Sequence, residues 1–234
     1  MARKATMLGR LSLGTRIVTD PLNEPGLVAF DFDGTMTVKD TFKAFLAWRA
    51  GPVRYAFGCV RLLPAAIVYV FDRNPGKLKA AAVREFLKGA SQETLAEEGR
   101  RFAEKRSGTL LRPDAVETWR RWRAKGAKTI IVTASPDFVV GPFARGLGAD
   151  NLIATELAFD ASGRAIGVLA GQNCRGPEKA RRLKATYGED TVLTAAYGDT
   201  SGDTEMLAMA VEKGYRVFKA MIASLTSWRM ASKP

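Results

Sequence analysis

Asp31-Phe32-Asp33-Gly34-Thr35 places two carboxylates two residues apart, directly after the apolar run Leu27-Val28-Ala29-Phe30. On an extended chain positions i and i+2 face the same side. One carboxylate can then attack while its neighbour handles a proton, and both can lean toward one Mg²⁺. Gly34 allows a sharp turn there. A second pair, Asp199 and Asp203, lies in Tyr197-Gly198-Asp199-Thr200-Ser201-Gly202-Asp203. Between the pairs, Thr133-Ala134-Ser135 offers a hydroxyl just before a helix start at Pro136, a place suited to an anion's oxygen. Gly176-Pro177-Glu178-Lys179 sets a cation in a first helical turn, against the macrodipole unless it serves an anion. Each segment alone also has a plain structural reading. Asp31 and Asp33 can be turn residues, Ser135 an N-cap, Lys179 a solvated side chain and Asp203 a helix cap.

The rest of the composition narrows the chemistry. The 234 residues include no His, which excludes Ser-His-Asp triads, phosphohistidine intermediates and His-ligated metals. Cys59 and Cys174 are too few for a Cys-ligated zinc site, and neither has Arg six residues on, so a Cys-x5-Arg thiol phosphatase is excluded too. Cys174 reads as structural. Acid–base and metal chemistry must therefore run on carboxylates, hydroxyls and Lys, the donor set of hard cations. With 36 Lys+Arg against 24 Asp+Glu the net charge is +12. No disulfide framework and no secretory signal are evident, so a cytoplasmic location is expected.

Apolar runs at 27–30, 129–132, 192–196 and 215–218 read as buried parallel strands, with helical patterns at 113–125, 136–147, 177–187 and 203–212 between them. The alternation predicts a Rossmann-like, doubly wound α/β sheet, with a hairpin at 156–159 and 165–169. Residues 40–112 show only helical pattern, far longer than a crossover requires. The expected organisation is a basic N-terminal tail over 1–26, an α/β core from 27–42 and 111–234, and an inserted helical cap over 43–110.

Four strand tips thus carry a carboxylate pair, a hydroxyl, a cation after a turn, and another carboxylate pair. This set resembles the haloacid dehalogenase superfamily of phosphohydrolases, and the helical insertion resembles its phosphoserine-phosphatase-like subfamily IB. The resemblance implies a Mg²⁺-dependent phosphomonoester hydrolase. Asp31 would be the nucleophile forming an aspartyl-phosphate, and Asp33 would protonate the leaving alcohol and then activate water. Thr133, with Ala134 beside it, and Lys179 would bind phosphate oxygens. Asp31, Asp199 and the Asp33 backbone carbonyl would hold Mg²⁺, with Asp203 supporting them.

The substrate end departs from the phosphoserine enzymes. Asp40 stands where they have a Glu and also reads as an N-cap for a helix at Thr41. Arg84 is only a neighbour of the expected cap arginine position, and Gly202 replaces an Asn. Between Lys43 and Lys88 there are nine bases and two acids, around the run Leu62-Leu63-Pro64-Ala65-Ala66-Ile67-Val68-Tyr69-Val70-Phe71. That run is too short to span a bilayer, which takes about 20 residues. It reads either as the buried centre of the cap or as a surface for the lipid interface, where contact with an anionic membrane would be peripheral. An apolar, cationic cap suits a phospholipid headgroup, and this part of the chain resembles the C-type phosphatidylglycerophosphatases. A small phosphorylated metabolite such as phosphoserine is the alternative substrate. A polynucleotide end phosphatase fits less well, because the cap has an apolar run rather than exposed aromatics interleaved with its bases, and a non-catalytic membrane module fits less well, because every charged motif position is filled.

Overall fold

The computed structural model describes residues 26–220; the tail expected over 1–26 falls almost wholly outside them. In chain order the elements are β1 (Leu27–Phe30), α1 (Thr41–Arg61), α2 (Leu63–Asp72), α3 (Pro75–Leu87), α4 (Gln92–Leu110), α5 (Pro113–Ala124), β2 (Lys128–Pro136) and α6 (Asp137–Leu147). They continue as β3 (Asn151–Thr155), β4 (Leu157–Phe159), β5 (Ala165–Leu169), α7 (Pro177–Tyr187), β6 (Leu193–Gly198), α8 (Thr204–Ala208) and β7 (Ala210–Tyr215). Five strands form one parallel sheet in the order β3-β2-β1-β6-β7, and β4 and β5 make a separate antiparallel hairpin. The α/β class is therefore as expected.

β1 is central and its residues from Val28 to Phe30 are fully buried, which is why it reads as an unbroken apolar run rather than an alternating one. Phe30 stacks on Tyr197 of β6 at 4.5 Å between ring centroids and leans on Trp119 of α5 at 5.0 Å. Trp122 Nε1 donates to the Tyr197 hydroxyl, which donates to Glu212 of β7, both at 2.9 Å. The long helices join this core through aromatic edges. Phe45 of α1 meets Phe102 of α4 at 5.5 Å and Phe138 of α6 at 5.3 Å.

Two expected elements change, one strand was not expected, and one open choice is decided. The last strand is β7, not residues 215–218, and the helix expected over 203–212 ends at Ala208. β7 is an edge strand with an exposed middle, so backbone pairing to β6 places it without an apolar run. β3 is a fifth strand that no long apolar run announced. The 62–71 run forms α2, which has no buried residue, so it is not the centre of a helical core. No single helix among the described residues is long and apolar enough to cross a membrane, and α1 with α2 reaches that length only across a 52° bend.

Glu178 anchors the start of α7. It accepts from Arg181 at 2.7 and 2.8 Å and from Arg182 at 2.7 Å, and Arg182 also donates to Ala154 O of β3 at 2.7 Å. These hydrogen bonds hold the Glu178 carboxyl down to about 2. A depressed carboxyl stabilises the fold above its unfolded value of about 4.3 and loses that contribution as pH falls through the folded value. Discounted for the exposure of Arg181, Glu178→Gln should lower the unfolding free energy by about 1 kcal/mol near neutral pH. Urea melts between about pH 5 and pH 2 should show the difference shrinking toward the acid end.

Candidate active site

Lys179, 1% exposed, is buried between two carboxylates. Its Nζ lies 2.5 Å from Asp31 Oδ1 and 2.7 Å from Asp203 Oδ1. Burial opposes the ammonium charge, but Asp31 and Asp203 overrule it and hold the lysine above its ordinary value. Lys179 is thus not a solvated side chain. Asp203 lies below its ordinary value: burial works against its charge, while Lys179 and the N–H groups of Thr200 and Asp199 outweigh that. Its Oδ2 accepts those N–H groups at 2.9 and 3.1 Å, so both Asp203 oxygens are committed and the side chain fixes the loop after β6.

Asp31 and Asp199 are less well compensated. Burial pushes Asp31 up to about 7 despite Lys179, and burial with the nearby Asp203 raises Asp199. The Thr35 hydroxyl lies 3.2 Å from Asp31 Oδ2 and 3.3 Å from Asp199 Oδ1, and its one proton can serve only one of them. Gly34 makes the approach feasible. At φ 85° it sits in the left-handed region, and a Cβ there would fall 2.2 Å from Asp199 Oδ2.

Asp33, one residue beyond the buried Phe32, lines the same cavity. Its Oδ1 accepts from the backbone and hydroxyl of Thr41, and its Oδ2 accepts from Ser135 Oγ at 2.5 Å. Burial, then Asp40, pushes its carboxyl above the ordinary range against those hydrogen bonds. Ser135 is therefore not an N-cap; Pro136 holds that position, and Ser135 orients Asp33. Thr133 is fully buried, and its hydroxyl accepts the Ser135 N–H at 3.0 Å. Thr133, expected to bind phosphate oxygens, is thus not a wall of the cavity; Ala134 and Ser135 line it there, because the Thr133 side chain is buried beneath them.

That cavity, about 470 Å³, gathers Asp31, Asp33, Ala134, Lys179, Asp199 and Asp203. Asp40 is on its rim and caps α1, accepting from Lys43 N at 2.9 Å. Arg84 is not among its walls; it is exposed on α3, its backbone against Gly167 of the hairpin. Two cations escaped sequence reasoning. Lys79 of α3 enters the cavity and donates to Ala134 O; burial lowers its pKa, partly offset by Asp33, Asp40 and Asp31. Arg175 lies across Gly202, where a Cβ would come 2.3 Å from its Nη1, and donates to Thr200 Oγ1 at 3.1 Å. Lys79 had no sequence signal, since it repeats like any surface lysine on a helix. Gly202 and Arg175 offered one: a small residue in the last motif makes room for a large one before α7.

Residues 28–208 match the family described as haloacid dehalogenase-like hydrolase. The chain belongs to that family. It is similar to Protein CicA of Caulobacter vibrioides (strain NA1000 / CB15N), 62% identical over 219 residues that cover 94% of this chain and 98% of the relative. Among solved structures it resembles a Bordetella pertussis Tohama I protein of unknown function, with TM-score 0.67, 23% identity and coverage of 80% of this chain and 87% of the other. It also resembles a substrate-bound phosphoserine phosphatase, with TM-score 0.57, 20% identity and coverage of 82% and 86%. A phospho-aspartyl intermediate analogue of phosphoserine phosphatase gives TM-score 0.58 at 21% identity, covering 81% and 85%. At these identities the solved structures speak for the fold.

Hydrolases of this family typically use Mg²⁺. The residues fit such an ion. Asp31, Asp199 and Asp203 bring carboxylate oxygens within 4.8 Å of one another, an all-oxygen set suited to a hard divalent cation. Lys179 is the cation paired with Asp31 and Asp203, while Asp31 Oδ2 and Asp199 Oδ1 share only the Thr35 hydroxyl. Asp31 and Asp199 hold the oxygens best placed for the ion, since those of Asp203 are already taken.

Two outcomes test this geometry. Lys179→Met strands two buried carboxylates and should cost about 3 kcal/mol in denaturant unfolding near neutral pH. Gly202→Ala should destabilise the unaltered chain more than an Arg175→Ala chain, with a coupling of about 1 kcal/mol in the double-mutant cycle.

Proposed function

We propose that this hydrolase is a Mg²⁺-dependent phosphomonoesterase working through an aspartyl-phosphate, with a phospholipid headgroup such as phosphatidylglycerophosphate as substrate. The observation that carries the chemistry is the Lys179 ammonium held between Asp31 and Asp203 in the cavity that Asp33 also enters. The Asp31 carboxylate attacks phosphorus, and the bond from phosphorus to the ester oxygen breaks. Asp33, held by Ser135 and Thr41, gives its proton to the departing alkoxide. Water then attacks the phosphorus of the acyl phosphate and yields a proton to Asp33, releasing inorganic phosphate and free Asp31. Lys179 serves the phosphoryl oxygens from the cavity wall, and Thr133 behind it holds Ser135 through the Ser135 N–H. Mg²⁺ held by Asp31 and Asp199 would supply the remaining positive charge against the phosphate dianion.

The substrate end supports a lipid. Phe42, Leu46, Tyr69, Leu78 and Ala82 line the cavity along with the carboxylates, and Lys39, Lys43 and Lys79 add positive charge there. The helices over 43–110 act in this reading as a cap over the mouth. The two positions that depart from the phosphoserine pattern bring no amino-acid contact of their own: Arg84 stands outside the cavity, and Asp40 is engaged at the start of α1.

Asp31→Asn should cut phosphate release from a soluble aryl phosphate at least about a thousandfold with an unchanged circular dichroism spectrum. Chelation should abolish activity in the unaltered chain, and added Mg²⁺ should restore it. In a phosphate-release panel, phosphatidylglycerophosphate should give a higher kcat/KM than phosphoserine. The reverse order would return the substrate to the amino-acid class.

A further inference from the structure

α2 shows apolar side chains on every side. Ile67, Val68, Tyr69 and Val70 are exposed in succession, and residues 100° apart sweep the whole helix circumference in four steps. Ile67 is 58%, Val70 67% and Phe71 83% exposed. The second half of α1 adds exposed Val53, Phe57 and Val60, spaced i, i+4, i+7 along one face. A helix apolar all round belongs in a core or in lipid, and a contiguous apolar patch of this kind marks a contact surface. Its rim is basic. Arg54, Arg61, Arg73 and Lys77 are exposed there. Arg54 and Arg61 share Glu85, and Lys77 pairs with Asp72, so four bases meet two acids and the balance stays positive.

We propose that α2 and the second half of α1 form a docking surface for an anionic lipid bilayer, lying at the boundary between headgroups and acyl chains. Charge complementarity selects this occupant. A second copy of the chain would bring the same positive rim, and it would cover one side of α2 while the other stayed in water. A lipid interface accepts all sides and supplies negative charge. The surface is continuous with the catalytic mouth, because Tyr69 of α2 lines the cavity together with Pro75, Leu78 and Lys79 just beyond it. This extends the lipid-phosphate reading of the site, but its test needs no turnover.

The full chain is sedimented with vesicles of phosphatidylcholine alone and of equal phosphatidylcholine and phosphatidylglycerol. It should pellet with the second and be released by salt. The double variant Ile67→Ser, Phe71→Ser should bind at least about tenfold more weakly, and Arg73→Glu should also bind more weakly. Neither Ile67 nor Phe71 touches the cavity, so aryl phosphate turnover by the double variant should stay within about twofold of the unaltered chain, which also reports an intact fold. Failure of the unaltered chain to pellet with phosphatidylglycerol vesicles overturns the proposal, as does equal pelleting of the double variant. A dimer in sedimentation equilibrium that the same substitutions dissolve overturns it in favour of a second copy. Asp31→Asn should pellet like the unaltered chain. If docking persists while the unaltered enzyme leaves lipid phosphate uncleaved, the docking stands and the lipid-substrate reading falls.

Discussion

Everything at the mouth depends on the ammonium of Lys179 being buried between Asp31 and Asp203. Desolvating one cation and two carboxylates is costly, and only close, hydrogen-bonded pairing offsets it. The backbone must therefore bring the end of β1 and the loop after β6 to within 2.7 Å of one nitrogen that the first turn of α7 carries. The adjacency of β1 and β6, in register from Val28 with Ala195 to Phe30 with Tyr197, brings Asp31 beside the Asp199 loop. The Asp31 N–H extends that ladder by donating to Tyr197 O at 2.9 Å. The charge arrangement and the strand order are one constraint seen from two sides.

The sheet order explains why residues so far apart in the chain converge. β1 is central, with β2 on one side and β6 on the other, and ligands of open parallel sheets gather at the carboxyl ends of strands around such a point. β2 contributes Ser135 to hold Asp33, β6 leads to Asp199, and β1 itself leads to Asp31. Arg112 ties the turn after β1 to the start of α5, donating to Gly34 O at 3.3 Å and Thr37 O at 3.2 Å. A more open cleft of about 690 Å³ runs alongside and shares Pro75, Asn173 and Arg175 with the catalytic cavity, but it lacks the carboxylate pairs.

That the motif carboxylates and Lys179 gather in one cavity was legible because they follow buried strands and a helix start that are plain in the sequence. Asp31 and Asp199 end apolar runs, and Lys179 follows a Gly-Pro helix start. Legibility failed where pairing rather than side chains decides. β7 carries Val211, Glu212 and Lys213 in its exposed middle and is held by hydrogen bonds to β6. β3 is only Asn-Leu-Ile-Ala-Thr, separated from the hairpin by Glu156 alone. Ser135 looked like a cap because Ser before Pro usually is one; its partner, Asp33, lies 102 residues away and no local pattern encodes it. The sequence also left the 62–71 run open between core and surface. Exposure of nearly every apolar residue on α2 closes that choice in favour of surface.

Lys79 joins the two halves of the molecule more directly than the sheet does. It sits five residues into α3, and Asn74 caps that helix immediately after α2 ends at Asp72 and Arg73 turns left-handed at φ 49°. The turn is tight: Asn74 accepts from Gly76 N at 3.0 Å and Lys77 N at 3.3 Å, while Asp72 accepts from Asn74 N at 2.9 Å. So short a linkage leaves α2 and the first turn of α3 little freedom to move apart. Lys79 Nζ bonds Ala134 O at the tip of β2, beside the serine that orients Asp33. Only a few residues of tightly hydrogen-bonded chain therefore separate the exposed apolar helix from a cation in the cavity. The helices over 43–110 thus reach the cavity through a side chain that bonds the tip of β2.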